Sequence, residues 1–234
     1  MKKILILGDS ISMGYREYVK KALESKAEVF FPEENGRFVK YTFCDDHKLK
    51  IEYQAKLSGK TLLAPTNHCY FNLSGEDGGS VLNHVLTIHA DAYTPFPRED
   101  INPDGSILKV DNTLFDLRNA VRIGDLIPKV ISSFDCNFVL NSVGYREVAI
   151  VNDPKSGRVM RIYTDMPGLQ LYSCGFPHAS KVVGKRGKYY GADAFYCLET
   201  QYFPNAIRMK NFFPPVFSGE TIWKSVTLYA FENI

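Results

Sequence analysis

Residues 147–164, EVAIVNDPKSGRVMRIYT, decide the fold class of this chain. Two short runs rich in valine and isoleucine flank a cluster of Asn, Asp, Pro, Ser and Gly at residues 152–157. β-Branched residues favour strands and turn-forming residues end them, so the stretch predicts two strands joined by a turn.

The same pattern extends outward along most of the chain. Further short apolar or alternating runs lie at residues 48–55, 81–89, 106–110, 168–173 and 225–231. Clusters of Pro, Gly and Asp at residues 103–105 and a Pro pair at 214–215 separate some of them. Many short strands divided by turns predict a mainly β fold, a β-sandwich or barrel.

The first 38 residues follow a different pattern. Residues 4–7 form a continuous apolar run, residues 11–23 carry apolar side chains at helical spacing, and residues 27–31 form a second strand-like run. Ser10, after the first run, suits the N-cap of the helix. We therefore expect a short β-α-β unit that ends near residues 36–40.

Composition narrows the classes of function. The net charge is +2 with no block of like charges, which argues against nucleic-acid or membrane-surface partners. The five cysteines are odd in number and contain no Cys-x-x-Cys, which argues against a disulfide framework or a zinc site. No apolar run approaches the length of a membrane span. These features predict a soluble cytoplasmic protein.

Two polar residues stand out against their surroundings. His68 lies in the polar stretch TNHCYFNL at residues 66–73, and Glu199 lies within the apolar run FYCLETQYF at residues 195–203. From pattern alone, His68 suits a hydrogen-bonded loop histidine better than a catalytic one. Glu199 either faces solvent from a strand or is held in a site, where burial would raise its pKa and suit a general base.

Residues 66–73 resemble the signature of the aldose 1-epimerases (galactose mutarotases). Nine further blocks resemble that family in its order, at residues 91–95, 103–105, 115–118, 134–141, 156–158, 164–172, 197–201, 203–206 and 218–220. We therefore identify residues 39–234 as a galactose-mutarotase-like domain, for which the resemblance implies a β-sandwich.

The resemblance also implies roles for particular residues. His68 matches the general acid that protonates the sugar ring oxygen, and Glu199 matches the base that takes the proton from the anomeric hydroxyl. Asp135 and Gln170 match residues that bind sugar hydroxyls, and Asn67 belongs with them in the expected substrate-binding set. The implied substrate is an aldohexose such as galactose or glucose. An acid and a base with pKa values near the working pH suffice for this chemistry, so no metal or cofactor is expected.

Two departures from the family pattern leave alternatives open. Residues 172–176, YSCGF, stand where the family usually has Gly-Asn before the Phe. Family members also carry an additional N-terminal β-segment that supplies an arginine and a second histidine, and no counterpart is found here. The expected domain is therefore truncated at its N-terminal side. An active epimerase and a catalytically impaired carbohydrate-binding module both remain open.

Residues 1–38 resemble the nucleophile block of SGNH (GDSL-type) hydrolases, through ILILGDSIS at residues 4–12. In that family the serine matching Ser10 is activated by a histidine that follows an aspartate by three residues. None of the five histidines of this chain has Asp three positions before it. Ser10 is therefore expected to be a helix cap, and an esterase is the third and weakest alternative. The predicted organisation joins a hydrolase-like unit, residues 1–38, to the mutarotase-like domain.

Overall fold

The computed structural model describes residues 2–5, 21, 27–30, 39–44, 46–57, 59–95, 103–126, 134–173, 187, 189–191, 193–220 and 222–233. Ser10 and Cys174 lie outside these residues, so the predicted helix cap and most of the unusual loop at 172–176 do too.

The described part of the chain is built almost entirely from strands. In chain order they are β1 (Lys2–Leu5), β2 (Ala27–Phe30), β3 (Val39–Cys44), β4 (Lys48–Lys56), β5 (Thr61–Leu62), β6 (Tyr70–Phe71), β7 (Val85–Ile88), β8 (Ala90–Thr94), β9 (Leu108–Lys109), β10 (Val121–Arg122), β11 (Asp135–Leu140), β12 (Arg146–Asp153), β13 (Arg158–Thr164), β14 (Gly168–Ser173), β15 (Tyr196–Gln201), β16 (Val216–Phe217) and β17 (Ile222–Asn233). One short helix, Ile123–Leu126, follows β10. Among the described residues no helix is long and apolar enough to cross a membrane.

Two antiparallel sheets form the body of the fold. The seven-stranded sheet has the order β10-β7-β12-β13-β17-β4-β3, and the six-stranded sheet has the order β6-β15-β14-β11-β8-β9. Two strand pairs, β1-β2 and β16-β5, stand apart from them. The predicted mainly β sandwich is confirmed.

The core lies between the two large sheets. Ile51, Ile162 and Tyr229 of the seven-stranded sheet share one buried cluster with Phe138 and Leu198 of the six-stranded sheet. The Tyr229 hydroxyl also donates a hydrogen bond to the carbonyl of Leu198, 2.8 Å away, which ties the sheets together. Each large apolar side chain buried here stabilises the fold by about 1.5–3 kcal/mol.

The turn at residues 152–157 forms as its composition predicts. The Asp153 carboxylate accepts hydrogen bonds from the backbone N–H of Lys155 at 3.1 Å and of Ser156 at 3.3 Å. Gly157 then takes a positive φ of 72°, a conformation that glycine adopts without strain. The turn fixes the register of β12 against β13.

Two predicted strands are shorter than expected. Of residues 106–110 only Leu108–Lys109 form a strand, β9. Residues 81–89 were expected to be continuous, but β7 begins only at Val85. The His84 backbone N–H closes a turn onto the Val81 carbonyl at 2.9 Å, and the His84 ring accepts a hydrogen bond from the Leu73 N–H at 3.1 Å. This histidine therefore serves the fold.

The front of the chain contains the expected strand pair. β1 and β2 pair in parallel, as the strands of a β-α-β unit do. Of the predicted helix only Lys21 is described, and it is helical.

Candidate active site

Three adjacent strands place polar side chains on the face of the six-stranded sheet turned away from the core, here called the outer face. In the strand register Asn137 of β11 is opposite Gln170 of β14, and Gln170 is opposite Glu199 of β15. Side chains directly opposite one another share a face, so the three form one polar row across the sheet. Asp135 and Tyr172 lie one step along on the same face.

The histidine reaches this row from a loop. His68 lies between β5 and β6, and its Nε2 is 3.4 Å from Oε1 of Glu199. The Thr66 hydroxyl fastens the loop to β15 by donating to the carbonyl of Thr200 at 3.0 Å. The His68 side chain is 27% exposed and the Glu199 side chain 9%, so the pair opens to solvent through the imidazole.

Aromatic and sulfur groups surround the imidazole. The ring centroids of Tyr70 and Tyr172 lie 4.8 Å and 6.0 Å from that of His68. On the remaining side, Sγ of Cys197 is 3.5 Å from His68 Nδ1. Within the described ranges, the donor atoms of His68, Cys197 and Glu199 are the one group of three that could hold a metal ion, all within 4.8 Å of one another.

A chain of hydrogen bonds orients the polar row. The Gln201 amide donates to the side-chain oxygens of Gln170, at 2.9 Å, and of Asn137, at 3.0 Å. Gln170 in turn donates to the Asp135 carboxylate. The Asn137 amide donates to the Thr94 hydroxyl at 3.1 Å. Gln170 and Asp135 therefore have defined orientations set by their neighbours.

The protein surroundings shift the pKa of one carboxyl group and one thiol, those of Asp135 and Cys69. Desolvation by the protein raises the pKa of Asp135, opposed by the hydrogen bond from Gln170 and by the charge of His68. Burial raises the pKa of the Cys69 thiol, and the Glu199 carboxylate raises it further. Removal from water thus disfavours negative charge at both groups.

Comparison with known proteins identifies the family. A family model described as Aldose 1-epimerase matches residues 17–229, most of the chain. The chain belongs to the aldose 1-epimerase family. The family predicted from residues 66–73 is thereby confirmed. The match begins inside the segment assigned to a hydrolase-like unit, and the division of the chain at residue 38 stays a prediction.

Relatives of this epimerase-family chain span a wide range of organisms. It is 39% identical over 188 residues to the galactose mutarotase of Sus scrofa, an alignment that covers 80% of the chain and 54% of the relative. It is 31% identical over 182 residues to an aldose 1-epimerase of Haemophilus influenzae, covering 75% of the chain and 52% of the relative. The chain therefore spans about half the length of these relatives.

Solved structures support the fold of the epimerase-family chain. An aldose epimerase homologue from C. elegans has a TM-score of 0.71 at 24% identity, covering 84% of this chain and 59% of that one. A galactose 1-epimerase from Lactobacillus acidophilus has a TM-score of 0.68 at 24% identity, covering 83% and 56%.

Four of the five residues singled out from the sequence lie around one point of the outer face of this epimerase-family domain: His68, Glu199, Asp135 and Gln170. Asn67 differs, because it is 2% exposed and faces the interior between the sheets. Its side-chain oxygen accepts from the Tyr229 hydroxyl at 2.6 Å, and its amide donates to Tyr53 at 3.3 Å and to Thr200 at 3.4 Å. These contacts anchor the loop that presents His68, and the substrate-binding role predicted for Asn67 has no direct support in them.

Sequence reasoning passed over Asn137 and Gln201, although both lie in stretches that were singled out. Each is two residues from a predicted site residue, Asn137 from Asp135 and Gln201 from Glu199. A strand period of two places such pairs on the same face, so the spacing could have identified them once the two stretches were recognised as strands.

Proposed function

We propose that the chain catalyses interconversion of the α and β anomers of an aldohexose such as galactose or glucose, the reaction of an aldose 1-epimerase. The observation that carries the proposal is the His68–Glu199 pair, 3.4 Å apart, beside a polar row that can bind hydroxyl groups. The galactose mutarotases among the relatives support a hexose substrate.

The two residues divide the proton transfers of ring opening. Glu199 takes the proton from the anomeric hydroxyl, the C1–O5 bond breaks, and His68 gives a proton to the ring oxygen. The products are an open-chain aldehyde, a protonated Glu199 and a neutral His68. Rotation about C1–C2 presents the other face of the carbonyl, and the same transfers in reverse close the ring. Each group contributes roughly 10²–10⁴-fold to the rate.

The polar row holds the sugar while this happens. Asp135 accepts hydrogen bonds from sugar hydroxyls, and Gln170 can both donate and accept. Gln201 holds the Gln170 amide in one orientation and is itself bonded to Asn137, so little ordering remains to be done when the sugar binds. Tyr70 and Tyr172 flank His68 and offer apolar surface to the carbon–hydrogen faces of the ring.

Polarimetry of freshly dissolved α-galactose tests the proposal. The chain should accelerate the change in optical rotation, and Glu199→Gln should lower that acceleration by at least about 10²-fold because the amide cannot accept the proton. Glu220→Gln is the matched control, since Glu220 is an exposed glutamate with no role in the proposed site. Wild-type acceleration that survives in Glu199→Gln would contradict the assignment of the base.

The same preparation distinguishes the alternatives. Galactose binding by calorimetry without any acceleration would favour the carbohydrate-binding module. Hydrolysis of a p-nitrophenyl ester that disappears in Ser10→Ala would favour the esterase.

A further inference from the structure

Three kinds of metal ligand converge at the proposed acid–base pair. One imidazole nitrogen of His68, the sulfur of Cys197 and one carboxylate oxygen of Glu199 lie within 4.8 Å of one another. The proposed sugar chemistry uses the imidazole and the carboxylate and assigns no role to the thiol. A thiol at this position therefore calls for a separate account.

The separations are close to those around a tetrahedral zinc ion. Zinc binds nitrogen, oxygen and sulfur at about 2.0–2.3 Å, so two of its ligand atoms lie about 3.3–3.8 Å apart. His68 Nε2 is 3.4 Å from the Glu199 oxygen, and His68 Nδ1 is 3.5 Å from the Cys197 sulfur. One imidazole gives a single nitrogen to one ion, and the three ligand atoms lie within 4.8 Å of one another, so the set closes when the His68 ring moves toward the other two ligands.

The framework allows that movement at one ligand and restrains the other two. Cys197 and Glu199 are two residues apart on β15, which is paired on both sides with β14 and β6. Cys197 is fully buried and Glu199 nearly so, which fixes their directions. His68 lies on a loop and is the most exposed of the three, so it can adjust and can admit the ion from solvent.

The chemistry of the donors selects the metal. A thiolate with an imidazole suits Zn²⁺, whereas Mg²⁺ and Ca²⁺ prefer sites built from oxygen alone. Three protein ligands leave the fourth tetrahedral position open to water or to a sugar hydroxyl. On binding, the thiol releases its proton to solvent and the imidazole binds through an unprotonated nitrogen.

We propose that His68, Cys197 and Glu199 bind one Zn²⁺ ion and that this ion inhibits the epimerase. The ion occupies the lone pairs that the acid and the base use for proton transfer, so the metal-bound and catalytic states exclude each other. The inhibition rests on the function proposed above, whereas the metal site stands independently of it.

Cobalt binding tests the site without any assay of activity. Co²⁺ replaces Zn²⁺ in such sites, and a bound thiolate gives a charge-transfer absorption in the near ultraviolet. Titration of the chain with CoCl₂ should show this band with one ion per chain, and ZnCl₂ should abolish it. Cys197→Ser should remove the band, whereas Cys69→Ser, a half-buried thiol beside His68 but outside the ligand set, should keep it.

A second variant covers the case in which a change at the buried Cys197 prevents folding. His68→Ala alters a partly exposed loop residue and should weaken Co²⁺ binding at least tenfold while the chain stays folded. A thiolate band that persists at wild-type affinity in both Cys197→Ser and His68→Ala would overturn the site. Binding that shows no thiolate band in the wild type would overturn it as well.

The inhibition is measured by polarimetry with added ZnCl₂. Mutarotation should fall about tenfold when zinc reaches ten times its dissociation constant, and EDTA should restore it. In Cys197→Ser the zinc concentration for half inhibition should rise at least tenfold, relative to the zinc-free rate of that variant. Zinc binding that leaves the wild-type rate unchanged would overturn the inhibition. A chain without mutarotation would remove the inhibition together with the proposed function, and the cobalt titration would still decide the metal site.

Discussion

The two faces of the six-stranded sheet use the same strands for different purposes. On the inner face Phe138, Leu169 and Leu198 are fully buried in the common core. On the outer face the neighbouring residues Asn137, Gln170 and Glu199 form the polar row. Because side chains alternate along a strand, one residue packs into the core and the next lies in the proposed site. Changes on the two faces should therefore have separable effects.

The largest effect is expected at the outer face. We predict that His68→Asn lowers the rate of mutarotation by about 10²–10⁴-fold, or about 2.7–5.5 kcal/mol of barrier, because asparagine cannot supply the proton. The free energy of unfolding should change by less than about 0.5 kcal/mol, since His68 is partly exposed on a loop. Polarimetry and urea denaturation measure the two quantities.

A histidine away from the site provides the control. His89→Asn alters an imidazole that is 40% exposed and faces Glu147, and it should leave the rate unchanged. Equal losses of rate in His89→Asn and His68→Asn would show that the outer face has no special part in the chemistry.

At the inner face we expect the opposite outcome, a loss of stability with little loss of rate. Leu198→Ala should reduce the free energy of unfolding by about 2–5 kcal/mol, because Leu198 is fully buried between the sheets and its removal leaves a cavity. The rate per folded molecule should change far less than in Glu199→Gln, one residue away. Urea denaturation combined with polarimetry below the transition tests this. A loss of rate in Leu198→Ala as large as in Glu199→Gln, in molecules that remain folded, would mean that the faces are not separable.

The strands differ in how well the sequence predicts them. Strands β13 and β14 have the predicted limits, because turn-forming residues bound them and apolar residues dominate them. Strands β11 and β15 were not predicted as strands, although their residues were singled out. Polar residues at alternate positions, such as Asn137 in β11 and Glu199 in β15, interrupt the apolar run by which a buried strand is recognised. The polar residues that form the candidate site thus removed the apolar pattern from which β11 and β15 would have been predicted.

The site residues were predicted from the family resemblance, and the distances between them could not have been predicted from the sequence alone. His68 and Glu199 are far apart in the chain, and only the packing of the loop onto β15 brings their side chains within 3.4 Å. The same holds for Asn67, whose inward direction follows from partners on β4, β15 and β17 that no local pattern connects to it.

In contrast to the carboxylates of the candidate site, the Asp153 carboxylate stabilises the fold at its turn. Burial acts to raise the pKa of Asp153, but hydrogen bonds from Ser156, Ser74 and the Lys155 backbone outweigh it and lower the pKa to about 2. A carboxyl whose pKa is lower in the folded state stabilises the protein above its unfolded pKa, which is 3.8 here. That stabilisation, about 2 kcal/mol, should disappear as the pH falls from about 4 to about 2.

Urea denaturation at a series of pH values measures this effect. Asp153→Asn should lose stability at pH 7 and show a weaker fall of stability below pH 4 than the wild type. Asp104→Asn, a change at an exposed turn carboxylate, serves as the control and should keep most of that fall. An unchanged acid profile in Asp153→Asn would contradict the role given to this carboxylate.

The smallest effect is expected where the outer face only positions a binding group. Gln201→Met keeps the size of the side chain but removes the donor that holds Gln170 and Asn137. We predict that KM for galactose rises roughly 3–10-fold, about 1 kcal/mol, with little change in kcat, because the proton-transfer pair is untouched. Gln54→Met, on an exposed position of β4, is the matched control. A fall in kcat with constant KM would place Gln201 in the proton transfers instead. A fall in the free energy of unfolding without any change in KM or kcat would show that Gln201 stabilises the fold and does not position a binding group. The part of β15 that belongs to the proposed site would then end at Glu199.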